Sequence, residues 1–322
     1  MNVHQSFMLP PPVATAELVM KDGARIRLRR YGRPGGTRLV FSHGNGLAIN
    51  AYAPFWLPLA QDYDVVVFDI RNHGENPLHH AQAHSWESFY SDFEYIFEGL
   101  RLHFGAARTV GVFHSLASVA SLEHSIRKGK RWDALFLFDP PVMPSDGHPL
   151  QPLEQADMEY RAARALRRTD IYDAPHQLAA QFRRGDAFKR WLPEEADLVA
   201  RHTLRETSDG RWMLCCPPQF EAHVFSTNTD ATLFPRICEI DIPLMIVGGD
   251  PQSPHASPAA SVAKAIHDEF KIEYAMVPDT THFLQFEEPQ TCRDLLIAFL
   301  ARHGLDSRSV HKASDTQPGS TV

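Results

Sequence analysis

Short apolar runs alternate with amphipathic stretches in the first half of the chain. The apolar runs cover residues 38–41, 64–69, 109–113 and 134–138. Continuous runs of this kind are typical of parallel strands that are covered on both faces. Residues 85–104 and 116–124 lie between them and have the apolar spacing or composition of helices. The alternation predicts an α/β fold, with a mostly parallel central sheet and helices on both of its faces.

The remaining segments extend this sheet at both ends of the chain. A hairpin is predicted over residues 15–31, and two further strands are predicted at 242–247 and 272–277. Helices are expected at 257–270 and 288–303. We therefore predict one core built from residues 14–141 and 237–305. The Pro-rich residues 1–13 are expected to form a loose arm, and the polar residues 306–322 a disordered tail.

The segment 142–236 interrupts the pattern, because it is charged and has no buried parallel strand. Helices are predicted at 154–168, 177–188 and 194–207, with an extended piece at 211–216. The simplest interpretation is an insertion over one edge of the sheet. Six of its arginines would suit an anionic substrate, but we favour a solvated helix face for them: Arg161, Arg164, Arg167, Arg168, Arg183 and Arg184.

Composition narrows the function classes. The 322 residues carry a formal net charge of −7 without a block of like charges, which argues against a nucleic-acid role. The four cysteines show neither a disulfide framework nor a zinc spacing. No signal peptide or apolar run of membrane-spanning length is visible. We expect a cytoplasmic protein with no metal, no dinucleotide fingerprint and no membrane span.

Three strand ends carry residues of complementary chemistry, in the order Ser115, Asp250 and His282. A serine hydroxyl needs a base to become nucleophilic, a neutral imidazole can serve, and a carboxylate orients that imidazole. Ser115 sits where a strand turns directly into a helix, which exposes its hydroxyl. We predict Asp250 as the acid, with Asp139 at the preceding strand end as the alternative.

Two backbone N–H groups are candidates for binding the oxyanion of such a reaction. Leu116 follows the serine at a helix N-terminus, and Asn45 lies in a glycine-rich loop after an early strand.

The chain resembles the α/β-hydrolase fold superfamily at five motifs in the family's order. The motifs are residues 43–46 (HGNG), 69–74 (DIRNHG), 113–117 (FHSLA), 243–250 (PLMIVGGD) and 281–283 (THF). The resemblance implies a serine hydrolase that uses no cofactor and has a helical cap at 142–236. It also implies a small-molecule, ester-type and apolar substrate, handled by a monomer or homodimer. Further candidates for the substrate pocket are Gly44, His114, Met143 and Phe283.

One residue departs from the family's elbow pattern Gly-x-Ser-x-Gly. Phe113 and Ala117 stand where small residues are usual, and the phenyl ring needs space beneath the turn. Phe113 therefore favours the alternative of a non-hydrolytic relative that binds a ligand or a partner. A lyase or a cofactor-free oxygenase on the same triad is a further alternative.

Overall fold

An eight-stranded sheet forms the centre of the protein, whose computed structural model describes residues 9–306. The predicted tail, apart from Asp306, and residues 1–8 of the predicted arm lie outside this range. The strands are β1 (Ala14–Val19), β2 (Arg25–Gly32), β3 (Arg38–Ser42), β4 (Asp64–Phe68), β5 (Thr109–His114), β6 (Ala134–Phe138), β7 (Ile171–Tyr172), β8 (Leu204–Glu206), β9 (Trp212–Leu214), β10 (Leu244–Gly248) and β11 (Glu273–Met276).

The central sheet has the order β1-β2-β4-β3-β5-β6-β10-β11. The pairs β1/β2 and β2/β4 are antiparallel, and all other neighbours are parallel. Parallel strands end at the same edge, so the loops after β3, β5, β6, β10 and β11 meet there. The prediction of a mostly parallel α/β sheet is confirmed.

The described part of the chain forms eleven α-helices, most of them close to the predicted positions. They are α1 (Ala53–Trp56), α2 (Trp86–Phe104), α3 (Leu116–Lys128), α4 (Gln151–Ala165), α5 (Pro175–Arg184), α6 (Glu195–Thr203), α7 (Pro218–Ser226), α8 (Leu233–Arg236), α9 (Pro258–Phe270), α10 (Leu284–Glu287) and α11 (Pro289–Arg302). Within residues 9–306, none of the helices is long and apolar enough to cross a bilayer.

Helices cover both faces of the sheet. Buried side chains of α2, α3 and α9 pack on one face, against residues such as Val66 and Leu137. Side chains of α1 and α11 pack on the other face, against residues such as Val67 and Phe136. Neighbouring strand positions therefore both face apolar cores, which is why these strands appear in the sequence as continuous apolar runs.

The segment between β6 and β10 holds helices α4 to α8 and a second, three-stranded sheet of order β7-β9-β8. This small sheet is antiparallel, and with α5 and α6 it encloses an apolar cluster of its own. The predicted extended piece at 211–216 corresponds to β9, whereas β7 and β8 were not predicted. Strands of two or three residues are too short to show an alternating pattern.

Glu154 on α4 is fully buried, and neither of its carboxylate oxygens has a hydrogen-bond partner among the described residues. Burial raises the pKa of Glu154 to about 8, and the charge of Asp157 adds to the shift. The folded protein therefore holds a neutral acid here at pH 7. In the unfolded chain a glutamate ionises near pH ~4.3, so stability is lost as the pH rises from there towards 8.

We expect Glu154→Gln to stabilise the fold increasingly with pH. The glutamine cannot ionise. Relative to wild type, the free energy of unfolding of the variant should therefore be little changed at pH 4.5 and higher by on the order of 3 kcal/mol at pH 8. Urea unfolding at both pH values measures this difference. Glu159→Gln, at an exposed position of the same helix, is the matched control. If the free energies of unfolding of wild type and Glu154→Gln changed equally between the two pH values, a buried and neutral Glu154 would be contradicted.

Candidate active site

Ser115 occupies a tight turn between β5 and α3. Its backbone has φ 53° and ψ −115°, a left-handed conformation that an L-residue rarely adopts. The turn is held because Ser115 N–H donates to the Phe138 carbonyl at 3.0 Å, and the Ser118 hydroxyl donates to the Phe113 carbonyl at 2.8 Å. Ser118 thus stabilises the turn, and Ser115 projects its hydroxyl at the carboxyl edge of the sheet.

Phe113 fits beneath this turn because Gly111 leaves room for its ring. A Cβ atom on Gly111 would come within 2.3 Å of Phe113 Cε2. The ring is fully buried and packs edge-on against Phe93 and Trp132, with ring centroids 5.1 and 5.4 Å away. The bulk of Phe113 is therefore accommodated within the core, and it no longer favours a non-hydrolytic relative.

His282 lies between Ser115 and Asp139. Its Nε2 is 3.0 Å from Ser115 Oγ, and its Nδ1 is 2.5 Å from Asp139 Oδ2. Asp139 is fully buried, and its other oxygen accepts the Gly249 N–H at 3.3 Å. The carboxylate fixes the tautomer with the proton on Nδ1, which leaves Nε2 free to accept a proton from the serine hydroxyl.

The predicted acid, Asp250, does not contact His282. Its carboxylate accepts the N–H groups of Gln252 at 2.8 Å and Asp279 at 3.0 Å, so it stabilises its own turn and the neighbouring loop. Side-chain direction separates the two acids, because the carboxylate of Asp139, directly after β6, reaches His282 Nδ1, whereas the Asp250 carboxylate is turned towards the N–H groups of residues 252 and 279. The structure therefore corrects the predicted placement: Asp139, the alternative, and not Asp250 lies against His282.

Burial controls the protonation of the Asp139–His282 pair. It lowers the pKa of His282 below its usual range, and the positive charge of Arg161 adds to this shift. Burial also raises the pKa of Asp139 to about 6. At neutral pH the imidazole is therefore neutral and the carboxylate ionised, the state that a general base requires.

The loop after β3 is held by two buried histidines. His43 accepts the Ile70 N–H at 3.1 Å, and His73 accepts the Gly46 N–H at 3.0 Å. The Asn45 side chain donates to the Glu221 carbonyl at 2.8 Å. These contacts fix the backbone of a loop that borders Ser115, and the described residues offer no acceptor to the Asn45 N–H.

Leu116 begins α3 directly after Ser115, so its N–H belongs to the free first turn of the helix. Among the described residues it has no acceptor either. Both predicted donors, Asn45 N–H and Leu116 N–H, therefore have no acceptor within residues 9–306.

A chain of hydrogen bonds through His114 links this loop to His282. Gly44 N–H lies 3.4 Å from the Tyr52 hydroxyl, which donates to His114 Nδ1 at 2.7 Å. The opposite nitrogen, His114 Nε2, lies 2.9 Å from the His282 carbonyl and donates to it. A carbonyl only accepts, so a single His114 tautomer satisfies every bond. Sequence reasoning missed Tyr52, because nothing in its local pattern separates it from other buried aromatic residues.

The loop that carries His282 is fixed by Glu287. This buried carboxylate accepts the Thr281 N–H at 2.7 Å and the Thr281 hydroxyl at 2.6 Å. The bonds hold the residue directly before His282, which restricts where the imidazole can lie.

A cleft of about 700 Å³ opens beside Ser115 and His282. Gly44, His114 and Phe283 line it as predicted, whereas Met143 is buried and is not among the lining residues. One part of the lining is apolar and comes mainly from the insertion: Leu178, Phe182, Phe188, Trp191, Phe225 and Phe283.

Another part of the cleft lining is basic. It consists of four arginines from α4 and the turn after it: Arg161, Arg164, Arg167 and Arg168. The sequence alone favours a solvated helix face for all six arginines of this region. For these four the structure shows instead a position at the cleft, next to the candidate catalytic residues. Within residues 9–306, no group of three or more His, Cys, Asp or Glu side chains is arranged to hold a metal ion.

Comparison with known structures places the fold of this chain in a large group of similar folds. A hydrolase of E-2-(acetamidomethylene)succinate aligns with a TM-score of 0.71 and 15% identity, covering 89% of this chain and 99% of the other. An esterase from Thermogutta terrifontis, solved with malate bound, aligns with a TM-score of 0.65 and 16% identity, covering 90% of this chain and 99% of the other. An N-formylmaleamic acid deformylase from Pseudomonas putida S16 aligns with a TM-score of 0.62 and 14% identity, covering 88% of this chain and 99% of the other. At these identities the likeness shows the fold alone.

Among curated protein sequences, none matches this chain. A sequence model of the alpha/beta hydrolase family, however, matches residues 39–295, which include Ser115, Asp139 and His282. The match covers most of the chain, and the strand order and the turn at Ser115 agree with it. The chain belongs to the alpha/beta hydrolase family.

Proposed function

We propose that this protein is a serine hydrolase that cleaves a carboxylic ester, or a related thioester, lactone or amide, through an acyl-enzyme. The observation that carries the proposal is the continuous set of contacts from Ser115 Oγ through His282 to Asp139, at 3.0 and 2.5 Å. Three structural neighbours bear the names of a hydrolase, an esterase and a deformylase. Those names support hydrolysis as the reaction type.

In the first step Ser115 Oγ attacks the acyl carbon while His282 Nε2 takes the hydroxyl proton. The oxyanion that forms is bound by the N–H groups of Asn45 and Leu116, and each such donor stabilises a transition state by roughly 3–4 kcal/mol. Asp139 stabilises the imidazolium. His282 then gives the proton to the leaving alcohol, and the acyl-enzyme forms.

In the second step water attacks the acyl-enzyme, with His282 again as base. The proton that His282 takes from this water passes to Ser115 Oγ as the acid product leaves, so the enzyme returns to its starting state. No cofactor takes part in this scheme.

We further propose that residues 142–236 act as a cap that covers the site and selects the substrate. Side chains of α5 and α7, such as Phe182 and Phe225, line the same cleft as Ser115 and His282. An element in this position can exclude water and hold an apolar part of the substrate.

The free cysteines support a reducing compartment, and we propose the cytoplasm as the location of the protein. The oligomeric state, a monomer or a homodimer, stays a prediction.

Ser115→Ala should abolish turnover while leaving the fold intact. We expect kcat/KM for a short 4-nitrophenyl ester to fall by at least ~10³-fold, because the nucleophile is lost. Ser121→Ala is the matched control, since the Ser121 hydroxyl donates only to the Ser118 carbonyl one helical turn from the site. Full turnover by Ser115→Ala would contradict the acyl-enzyme.

The assignment of the acid is tested by comparing Asp139→Asn with Asp250→Asn. The first substitution should lower kcat by roughly 10²–10⁴-fold, because the amide no longer stabilises the imidazolium or its tautomer. The second should change kcat by less than about threefold, since the Asp250 carboxylate accepts the N–H groups of Gln252 and Asp279 and does not contact His282. Steady-state kinetics of both variants measures this. The reverse order of effects would restore Asp250 as the acid.

The pH dependence of kcat/KM should show an acidic limb at about pH 6. Burial raises the pKa of Asp139 to about 6. The first proton that the Asp139–His282 pair takes up as the pH falls therefore removes the charge that supports the base. Activity is expected to be constant above this value and to fall tenfold per pH unit well below it. A limb centred above pH 7.5 would contradict the buried pair.

A further inference from the structure

The four arginines of the cleft lie on one short stretch of chain. Arg161 and Arg164 are on α4, and Arg167 and Arg168 follow in the turn after it. Arg161 and Arg164 share a face of α4, because side chains three residues apart on a helix are neighbours. Like charges at this spacing repel one another, so the cluster is unfavourable unless anions lie nearby.

The acids of the cleft neutralise only half of this charge. Asp157 pairs with Arg161 at 2.5 Å, and Glu221 pairs with Arg168. Four arginines minus these two acids leave two positive charges. They belong to Arg164 and Arg167, which have no acidic partner among the described residues; Arg164 lies 5.7 Å from the centroid of the Tyr160 ring.

A solvated helix face is the competing explanation, and the neighbouring helix α5 shows what such a face looks like. Arg183 on that helix pairs with Asp197, and the exposed Arg184 does not line the cleft. Arg164 and Arg167 are exposed as well, but unlike Arg184 they line the cavity that also holds Ser115 and His282. A cleft with surplus charge of one sign attracts ligands of the opposite sign.

We propose that the substrate carries a carboxylate remote from the scissile bond, and that Arg164 and Arg167 bind it. The inference rests on the proposed function, since it concerns the same cleft. A guanidinium group offers a planar fork of donors that matches a carboxylate. The apolar wall around Phe182 and Trp191 would hold the chain between the two ends. The substrate class is thus an amphipathic monoester of a dicarboxylic acid, or its thioester or amide analogue.

A pair of esters that differ only in charge tests the proposal. We would compare mono-4-nitrophenyl esters of the diacids from adipate to sebacate with their methyl-capped, neutral counterparts. Wild type should prefer the best charged ester by tenfold or more in kcat/KM, and added salt should reduce this preference. In the Arg164→Gln/Arg167→Gln double variant this preference should fall about tenfold, because kcat/KM for the charged ester decreases. Arg184→Gln is the matched control and should leave the preference unchanged.

Direct binding separates this proposal from the proposed function. In Ser115→Ala, calorimetry should show the charged suberate monoester binding at least tenfold more tightly than its methyl-capped form. The difference should disappear when Arg164 and Arg167 are also replaced by glutamine. If the wild type hydrolyses no ester yet this difference persists, the hydrolase proposal fails and the anion site stands. Equal binding of the charged and neutral esters throughout the diacid series would overturn the anion site, whatever the turnover.

Discussion

The 2.5 Å contact between Asp139 and His282 depends on the whole architecture of the sheet. Asp139 follows β6, His282 follows β11, and Ser115 follows β5, so three strand ends must meet at one edge. The helices that cover both faces hold the strands in this register. Burial then keeps water from the carboxylate, so its charge is compensated by the imidazole and by the Gly249 N–H. Loss of register in any of these strands would separate the three side chains.

Much of this arrangement could be predicted from the sequence. Buried parallel strands give continuous apolar runs, and the strand that turns directly into a helix at Ser115 leaves a local signature. Ser115 was identified because it lies directly after such a strand, and His282 because it lies in the loop after the last predicted strand. The fit of Phe113 was not foreseen, although the reason is also local. Gly111 lies two residues earlier on the same face of β5, and its missing side chain provides the space for the ring.

The rest depends on side-chain directions that no local pattern specifies. Asp139 and Asp250 each follow a strand of the central sheet, and only the side-chain contacts show that Asp139 lies against His282. Arg164 looked like part of a solvated helix until the packing of the insertion showed which side of α4 faces the cleft. Tyr52 became visible as a link only through its bond to His114. Each of these residues acquires its place from tertiary contacts.

Covalent labelling with a fluorophosphonate tests the central claim, that Ser115 is an activated nucleophile, most directly. The reagent forms a stable adduct only with a serine whose proton a neighbouring base removes. Mass spectrometry of the folded protein after labelling, followed by peptide mapping, should locate a single adduct on Ser115. Labelling should be lost in a His282→Ala variant that remains folded. An unlabelled wild type that is folded, or an adduct on another serine, would contradict the account.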